Sequence, residues 1–272
     1  MKKRIKTLII ESNFFAALGV WSLVKLTGLL HNIDVDDFAI FSFFSTLLVY
    51  SFSILFSVGR KSGFNSLLIL DKLLVQKIVL VISTLVLPFY LFEFSVDVLL
   101  MLIPVGLVSF LYPVELTSEN NKGIALREFP YLKIFLIGIS WGVVTVVLPL
   151  LDTNVVFDFP ILIETVVRAM FVVAITIPFD VRDMYSDSPE MKTIPQEIGA
   201  YKAKILAYLL LLINLGYYFF YVKLSIESML FIFVTLMLTV VLIRYSGNNR
   251  PKYYYTVLME STSIMLFLSV NL

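Results

Sequence analysis

The stretch Phe179-Asp-Val-Arg-Asp-Met-Tyr-Ser-Asp187 decides how this chain is read. It lies where a long apolar segment leaves the membrane, and it sets Asp180, Asp183 and Asp187 in a DxxDxxxD pattern. If the segment continues as a helix, offsets of three and seven put all three carboxylates within roughly 60° of one another. Three like charges on one face repel. A hard divalent cation such as Mg²⁺ relieves that repulsion, and Mg²⁺ commonly bridges carboxylates to substrate phosphates. The same residues also suit a plainer reading, a solvated acidic end to a membrane helix. The spacing leaves both open.

Outward from the motif, the composition is that of a polytopic membrane protein. The chain has 272 residues, of which 59% are hydrophobic and only 15% charged, with a mean hydropathy of +0.93. The charges cluster between apolar runs of about 20 residues, the length that crosses a bilayer as a helix. A formal net charge of +1 carries no basic bias toward nucleic acid. With no cysteine and one histidine, His31, in a short polar loop, thiolate chemistry, zinc sites and histidine triads are excluded or strongly disfavoured. Any metal has to be held by carboxylates. The start, Met1-Lys-Lys-Arg-Ile-Lys6, reads as the cytoplasmic lead into a retained first span, because Glu11 and Asn13 interrupt the apolar run and no small-residue cleavage site is evident after it.

The pattern predicts an all-α chain of nine membrane-spanning helices, at about 9–30, 38–58, 73–94, 97–115, 132–151, 156–179, 201–222, 225–244 and 253–271. One side then holds 18 of the 21 basic residues, the other only Lys25 and Lys223, and Arg168 falls inside a span. The positive-inside rule puts the N-terminus in the cytoplasm and Leu272 outside, in a bacterial-type inner membrane. All the long loops (59–72, 116–131, 180–200 and 245–252) become cytoplasmic. No polar linker divides the chain, so residues 1–272 read as one helical domain.

With the motif and the span count in place, the chain resembles the UbiA superfamily of intramembrane prenyltransferases. The likeness rests on Phe179–Asp187 continued by Lys192-Thr-Ile-Pro195 and Gly199, which looks like the family's second aspartate-rich motif and the segment after it. Leu111-Tyr-Pro113, Leu126-Arg-Glu-Phe-Pro-Tyr-Leu-Lys133 and Trp141 look like the loop and fifth span of bacterial members. The resemblance implies transfer of a prenyl group from an isoprenoid diphosphate to an acceptor, with Mg²⁺ held by Asp180, Asp183 and Asp187. It implies membrane lipids as surroundings and leaves the acceptor open. Loss of diphosphate develops charge that Mg²⁺, Lys and Arg offset, while a water-poor pocket protects the allylic cation.

The family's first aspartate-rich motif does not appear. It should end the second span, but no Asp or Glu lies between Asp37 and Asp71. Treating the halves as a repeat aligns Phe52-Ser53 with Phe179-Asp180, Phe56 with Asp183 and Arg60 with Asp187. Arg60 and Lys61 could then serve as fixed cations for the diphosphate, or simply as charge anchors. Arg127, Lys133, Arg182 and Lys192 are further candidates for the diphosphate. Glu164 and Arg168, four apart, can pair inside the sixth span. Glu11 and Asn13 at the start of the first span, and Glu260 in the last, are expected to hydrogen-bond between helices; the resemblance also implies a share in shaping the acceptor site, as residues of the first span have in the family. Tyr253, Tyr254 and Tyr255 are expected to form an interfacial belt. Two other readings remain: a non-catalytic protein binding a prenyl lipid or a membrane partner, and a carrier with Glu164, Arg168 and Glu260 along its path.

Overall fold

Seven helices of 18 residues or more have the length and apolarity to cross a membrane, and two shorter apolar helices join them among the described residues. In chain order they are α1 (Phe14–His31), α2 (Asp36–Ser62), α3 (Leu74–Leu91), α4 (Val96–Leu111), α5 (Leu132–Asp152), α6 (Phe159–Asp183), α7 (Ile194–Tyr221), α8 (Ile226–Tyr245) and α9 (Tyr254–Val270). This is the all-α, multi-pass architecture the hydropathy predicts. The computed structural model describes residues 12–63, 73–119, 122–153 and 155–271, without the side chains at 61, 62, 115–119, 122–124 and 127. Glu11 and the side chains of Lys61 and Arg127 therefore lie outside the described residues.

Two connections depart from the expected loops. Between α4 and α5 the chain forms an antiparallel hairpin, β1 (Glu115–Glu119) with β2 (Lys122–Ala125). After the motif, α7 begins at Ile194 and breaks at Gly199, whose φ of 80° and ψ of 154° are non-helical. A side chain is disfavoured at that φ, so glycine permits the break. The turn from 194 to 200 is thereby separated from the spanning part, close to the predicted start at 201.

The helices close into a ring. Helix α1 packs on α2 and α9, α2 on α3 and α4, α4 on the end of α5, and α5 through α9 each on the next. Lipid tails are as apolar as leucine, so close backbone approach matters more here than burial of apolar surface. Gly138 and Gly142 supply it between α5 and α6. A Cβ at Gly142 would lie 2.9 Å from the Thr165 carbonyl oxygen, and one at Gly138 would lie 2.8 Å from Val173. Helix α5 also contains a π-helical turn at Val143–Val147. There the Thr145 carbonyl accepts a 2.6 Å hydrogen bond from the Thr27 hydroxyl of α1, which ties the distorted turn across the ring. Outward faces are lipid-like: Leu85 and Phe89 on α3 are exposed.

Candidate functional site

Helix α6 carries the first two motif aspartates into the ring and ends at Asp183. Asp180 is 1% exposed. Lys133, in the first turn of α5, reaches it from the neighbouring helix: Nζ stands 2.7 Å from Asp180 Oδ1 and 3.2 Å from Asp187 Oδ2. The contact with Asp187 is a hydrogen bond. The one with Asp180 is an ion pair without hydrogen-bond alignment, and Oδ1 has no hydrogen-bond partner. Asp180 and Asp187 thus share one ammonium, as their seven-residue spacing allows. Asp183 has a different partner. Arg182 grips it with a two-pronged contact, Nε to Oδ1 at 2.7 Å and Nη2 to Oδ2 at 2.6 Å, the geometry in which guanidinium–carboxylate pairs are strongest. The guanidinium rests over the rings of Tyr255, at 4.8 Å, and Phe179, at 5.5 Å.

The turn after Asp183 is pinned by Gln196, a residue the sequence reading passed over. Its Oε1 accepts from the Thr193 amide at 2.9 Å. Its Nε2 donates to the carbonyls of Met184, Asp187 and Ser188 at 3.3–3.4 Å. The signal was present: Thr193-Ile-Pro-Gln196 has the Thr-x-x-Gln spacing of a capping box at the start of a helix.

Two cavities share part of their linings, and one of them reaches the motif. A charged one of about 290 Å³ is walled by Lys133, Asp180, Arg182, Asp183, Lys252 and Glu260, with Asn13 at its rim. An apolar one of about 280 Å³ lies between α2, α3, α4 and α5, lined by residues such as Phe41, Leu48, Leu102 and Val144. Tyr50 and Trp141 line both. The geometry suits an amphipathic ligand, its charged head by the motif and its tail in the apolar chamber.

The sequence candidates divide accordingly. Asp180, Asp183, Lys133 and Arg182 share the charged cavity, and Asp187 joins them through Lys133. Lys192 instead sits with Nζ 5.8 Å over the Tyr131 ring, and Arg60 is exposed near the end of α2. Neither lines the charged cavity, whereas Lys252, read only as a cytoplasmic charge, does. At the place of the missing first motif, Phe52 packs on Phe56 and on Phe110 at 5.6 and 5.2 Å between centroids.

The expected Mg²⁺ can be tested against this arrangement. No three acidic side chains converge into a metal cage among the described residues. Mg²⁺, however, is usually held by one or two carboxylates plus substrate phosphates. Asp180 and Asp183 turn hard oxygens to one cavity, where Lys133 and Arg182 now contact them and a bound phosphate would compete for those cations. The residues fit an ion shared with a bound phosphate.

Several polar residues behave differently from their sequence readings. Glu164 and Arg168 do pair, at 3.2 Å. His31 joins them, with Nε2 2.7 Å from Glu164, and Arg168 also donates to the Leu23 carbonyl at 2.7 Å. Of the three residues named for a carrier path, Glu164 and Arg168 line neither cavity and Glu260 lines the charged one. Tyr254 and Tyr255 do not form an interfacial belt, being 8% and 0% exposed. Their hydroxyls donate inward, to the carbonyls of Leu242 and Gly247. The Glu260 carboxylate makes no hydrogen bond between helices among the described residues; it faces the charged cavity.

Comparison with known proteins places the fold. The chain is similar to a UbiA homolog from Archaeoglobus fulgidus, with a TM-score of 0.63 and 12% identity over 97% of both chains. It is also similar to the structure of a digeranylgeranylglyceryl phosphate synthase in membranes, with a TM-score of 0.56 and 16% identity over 99% of this chain and 98% of that one. No family model matches the sequence, and no curated protein does. The likeness is therefore one of fold: the chain adopts the UbiA-type membrane bundle.

Proposed function

We propose that this protein is a membrane prenyltransferase that binds an isoprenoid diphosphate, its head in the charged cavity and its tail in the apolar chamber. The observation that carries the reading is that the charged cavity at the aspartate motif and the apolar chamber share Tyr50 and Trp141 in their linings. The fold shared with a UbiA homolog and with a digeranylgeranylglyceryl phosphate synthase supports it.

Each wall has a role. Lys133, Arg182 and Lys252 present cations to the diphosphate oxygens, where charge grows as the allylic carbon–oxygen bond breaks. Asp180 and Asp183 would hold a Mg²⁺, whose Lewis-acid charge offsets that of the leaving diphosphate. Asp187 orients Lys133 from the far side. The apolar chamber keeps water from the allylic cation while the acceptor approaches.

A second reading keeps the ligand and drops the reaction. The aromatic packing of Phe52, Phe56 and Phe110 stands where a second metal-binding motif would be, and it favours a protein that binds a prenyl diphosphate without turnover. Binding of geranylgeranyl thiolodiphosphate to the purified chain, followed by mass spectrometry of products from geranylgeranyl diphosphate and membrane lipids, separates the two. Binding that weakens at least about tenfold in Asp183→Asn or on chelation of Mg²⁺ supports the site. Prenylated products then establish transfer, and their absence with intact binding establishes the second reading. No binding by the native chain overturns both.

A further inference from the structure

The charged cavity has two unlike walls. On one, both acids have a cation: Asp180 has Lys133, which it shares with Asp187 outside the cavity, and Asp183 has Arg182. On the other stands Glu260 of α9, which lines the same cavity and whose carboxylate makes no hydrogen bond or ion pair among the described residues. A carboxylate kept inside a membrane bundle without a partner is costly and marks function by default.

The local backbone puts it there. Helix α9 runs as a π-helix over Tyr254–Met259 and returns to α-helix at Ser261. Glu260 is the residue at the change. One π turn inserts an extra residue and so rotates the rest of the helix about its axis, and such bulges recur at functional sites. Helix α1 is close at this level, because Gly19 lets it approach: a Cβ there would meet the Glu260 carbonyl oxygen at 3.6 Å and Ser263 Cβ at 3.4 Å. Asn13, just before α1, faces the same cavity. Tyr50, on the lining of both chambers, shares the charged cavity with Glu260.

We propose, resting on the prenyl-transfer reading above, that Glu260 recognises the acceptor: it takes a hydrogen bond from the protic nucleophile, a hydroxyl or an amine, of a membrane-soluble second substrate. The prenyl carbon then lies between Lys133, Arg182 and Lys252, which receive the leaving group, and Glu260, which holds the nucleophile. In the reaction the acceptor's lone pair forms the new bond to the allylic carbon. The bond from that carbon to the diphosphate oxygen breaks, and its electron pair leaves with the diphosphate. The proton from the acceptor's oxygen or nitrogen passes to the Glu260 carboxylate. The products are the prenylated acceptor and diphosphate, with nothing oxidised or reduced.

Two probes test the two walls separately. Farnesylamine carries a protic, cationic head on a prenyl tail. Farnesyl thiolodiphosphate carries the leaving group without reactivity. Binding of each is read from the fluorescence of Trp141, which lines both cavities, in a Trp21→Phe background. Glu260→Gln should weaken farnesylamine at least about tenfold, the loss of a desolvated charge partner, and leave farnesyl thiolodiphosphate within about twofold of the parent. Glu260→Asp should recover part of the amine affinity. An unchanged amine affinity in Glu260→Gln overturns the proposal, as does an equal loss of both probes or no amine binding by the parent. If the parent binds the amine through Glu260 but not the thiolodiphosphate, the prenyl-diphosphate reading fails and the protic subsite stands.

Discussion

The guanidinium of Arg182 is held between the Asp183 carboxylate and the face of Tyr255, 4.8 Å from the ring centroid. Tyr255 is in turn fixed by the 245–252 turn: its hydroxyl donates to the Gly247 carbonyl at 2.7 Å and accepts from the Gly247 amide at 2.8 Å. The aspartate motif on α6 is thus braced by the first turn of α9. Tyr255→Phe removes both hydrogen bonds and keeps the ring, so it should lower stability by about 1–3 kcal/mol with diphosphate affinity nearly intact. Tyr255→Leu also removes the cation–π surface, worth about 0.5–2 kcal/mol, and should weaken the diphosphate several-fold. Thermal melts in detergent and thiolodiphosphate titrations read the two effects. Equal affinity in the Phe and Leu variants would refute the bracing.

Lys133 is the only cation in contact with the buried Asp180 among the described residues. Removing one partner of a buried ion pair typically costs about 3–5 kcal/mol, because the other charge stays desolvated. Lys133→Met should therefore lower the melting temperature markedly. Adding Asp180→Asn removes the stranded charge and should recover most of the loss. A double variant no more stable than the single one would mean that Lys133 acts mainly through Asp187 or through packing.

Gln196 joins the motif to the next helix, and its two ends can be separated. Gln196→Ala loses a helix cap, about 1 kcal/mol, and frees the carbonyls of Met184, Asp187 and Ser188. Gln196→Glu keeps an acceptor for the Thr193 amide but turns a carboxylate toward those three carbonyls, so it should be the worse of the two. Hydrogen exchange at residues 184–188 measures this directly. Faster exchange in the Glu variant than in the Ala variant is the expected order, and the reverse order would assign the role to the cap alone.

The architecture was legible because membrane helices obey a strong local rule: without water, every backbone amide must be satisfied within the helix. Runs of about 20 apolar residues therefore located the nine apolar helices among the described residues, and the Asp180–Asp187 spacing pointed to the charged cavity. Partners were harder to read. Lys133 meets Asp180 from 47 positions away in sequence, across two packed helices, and no periodicity encodes that. Lys252 looked like any basic residue at a membrane boundary until the ring closed α9 against α1. Other signals were local and were passed over: the Gly138-x-x-x-Gly142 spacing that brings α5 onto α6, and the Thr-x-x-Gln cap. The π turns in α5 and α9 left no local mark in the sequence; the one in α5 carries the long-range hydrogen bond from Thr27 to Thr145.

The orientation of the bundle can be tested without a ligand. Eighteen of the 21 basic residues fall on one side in the nine-span reading. In the bundle Lys133, Arg182 and Lys252 gather at the motif end, whereas Lys25 pairs with Asp36 beside the turn between α1 and α2. Lys and Arg near span ends set orientation, and acids contribute little. The motif end should therefore face the cytoplasm, where a water-soluble diphosphate head and Mg²⁺ are both supplied, and residue 272 should lie outside. Cysteine substitutions suit the test because the native chain has none. Ser188→Cys should be labelled by a membrane-impermeant maleimide only after the membrane is opened, and Asn271→Cys in intact cells. Labelling of both from the same side would require an even number of spans, and a reversed pattern would put the diphosphate site on the outer face.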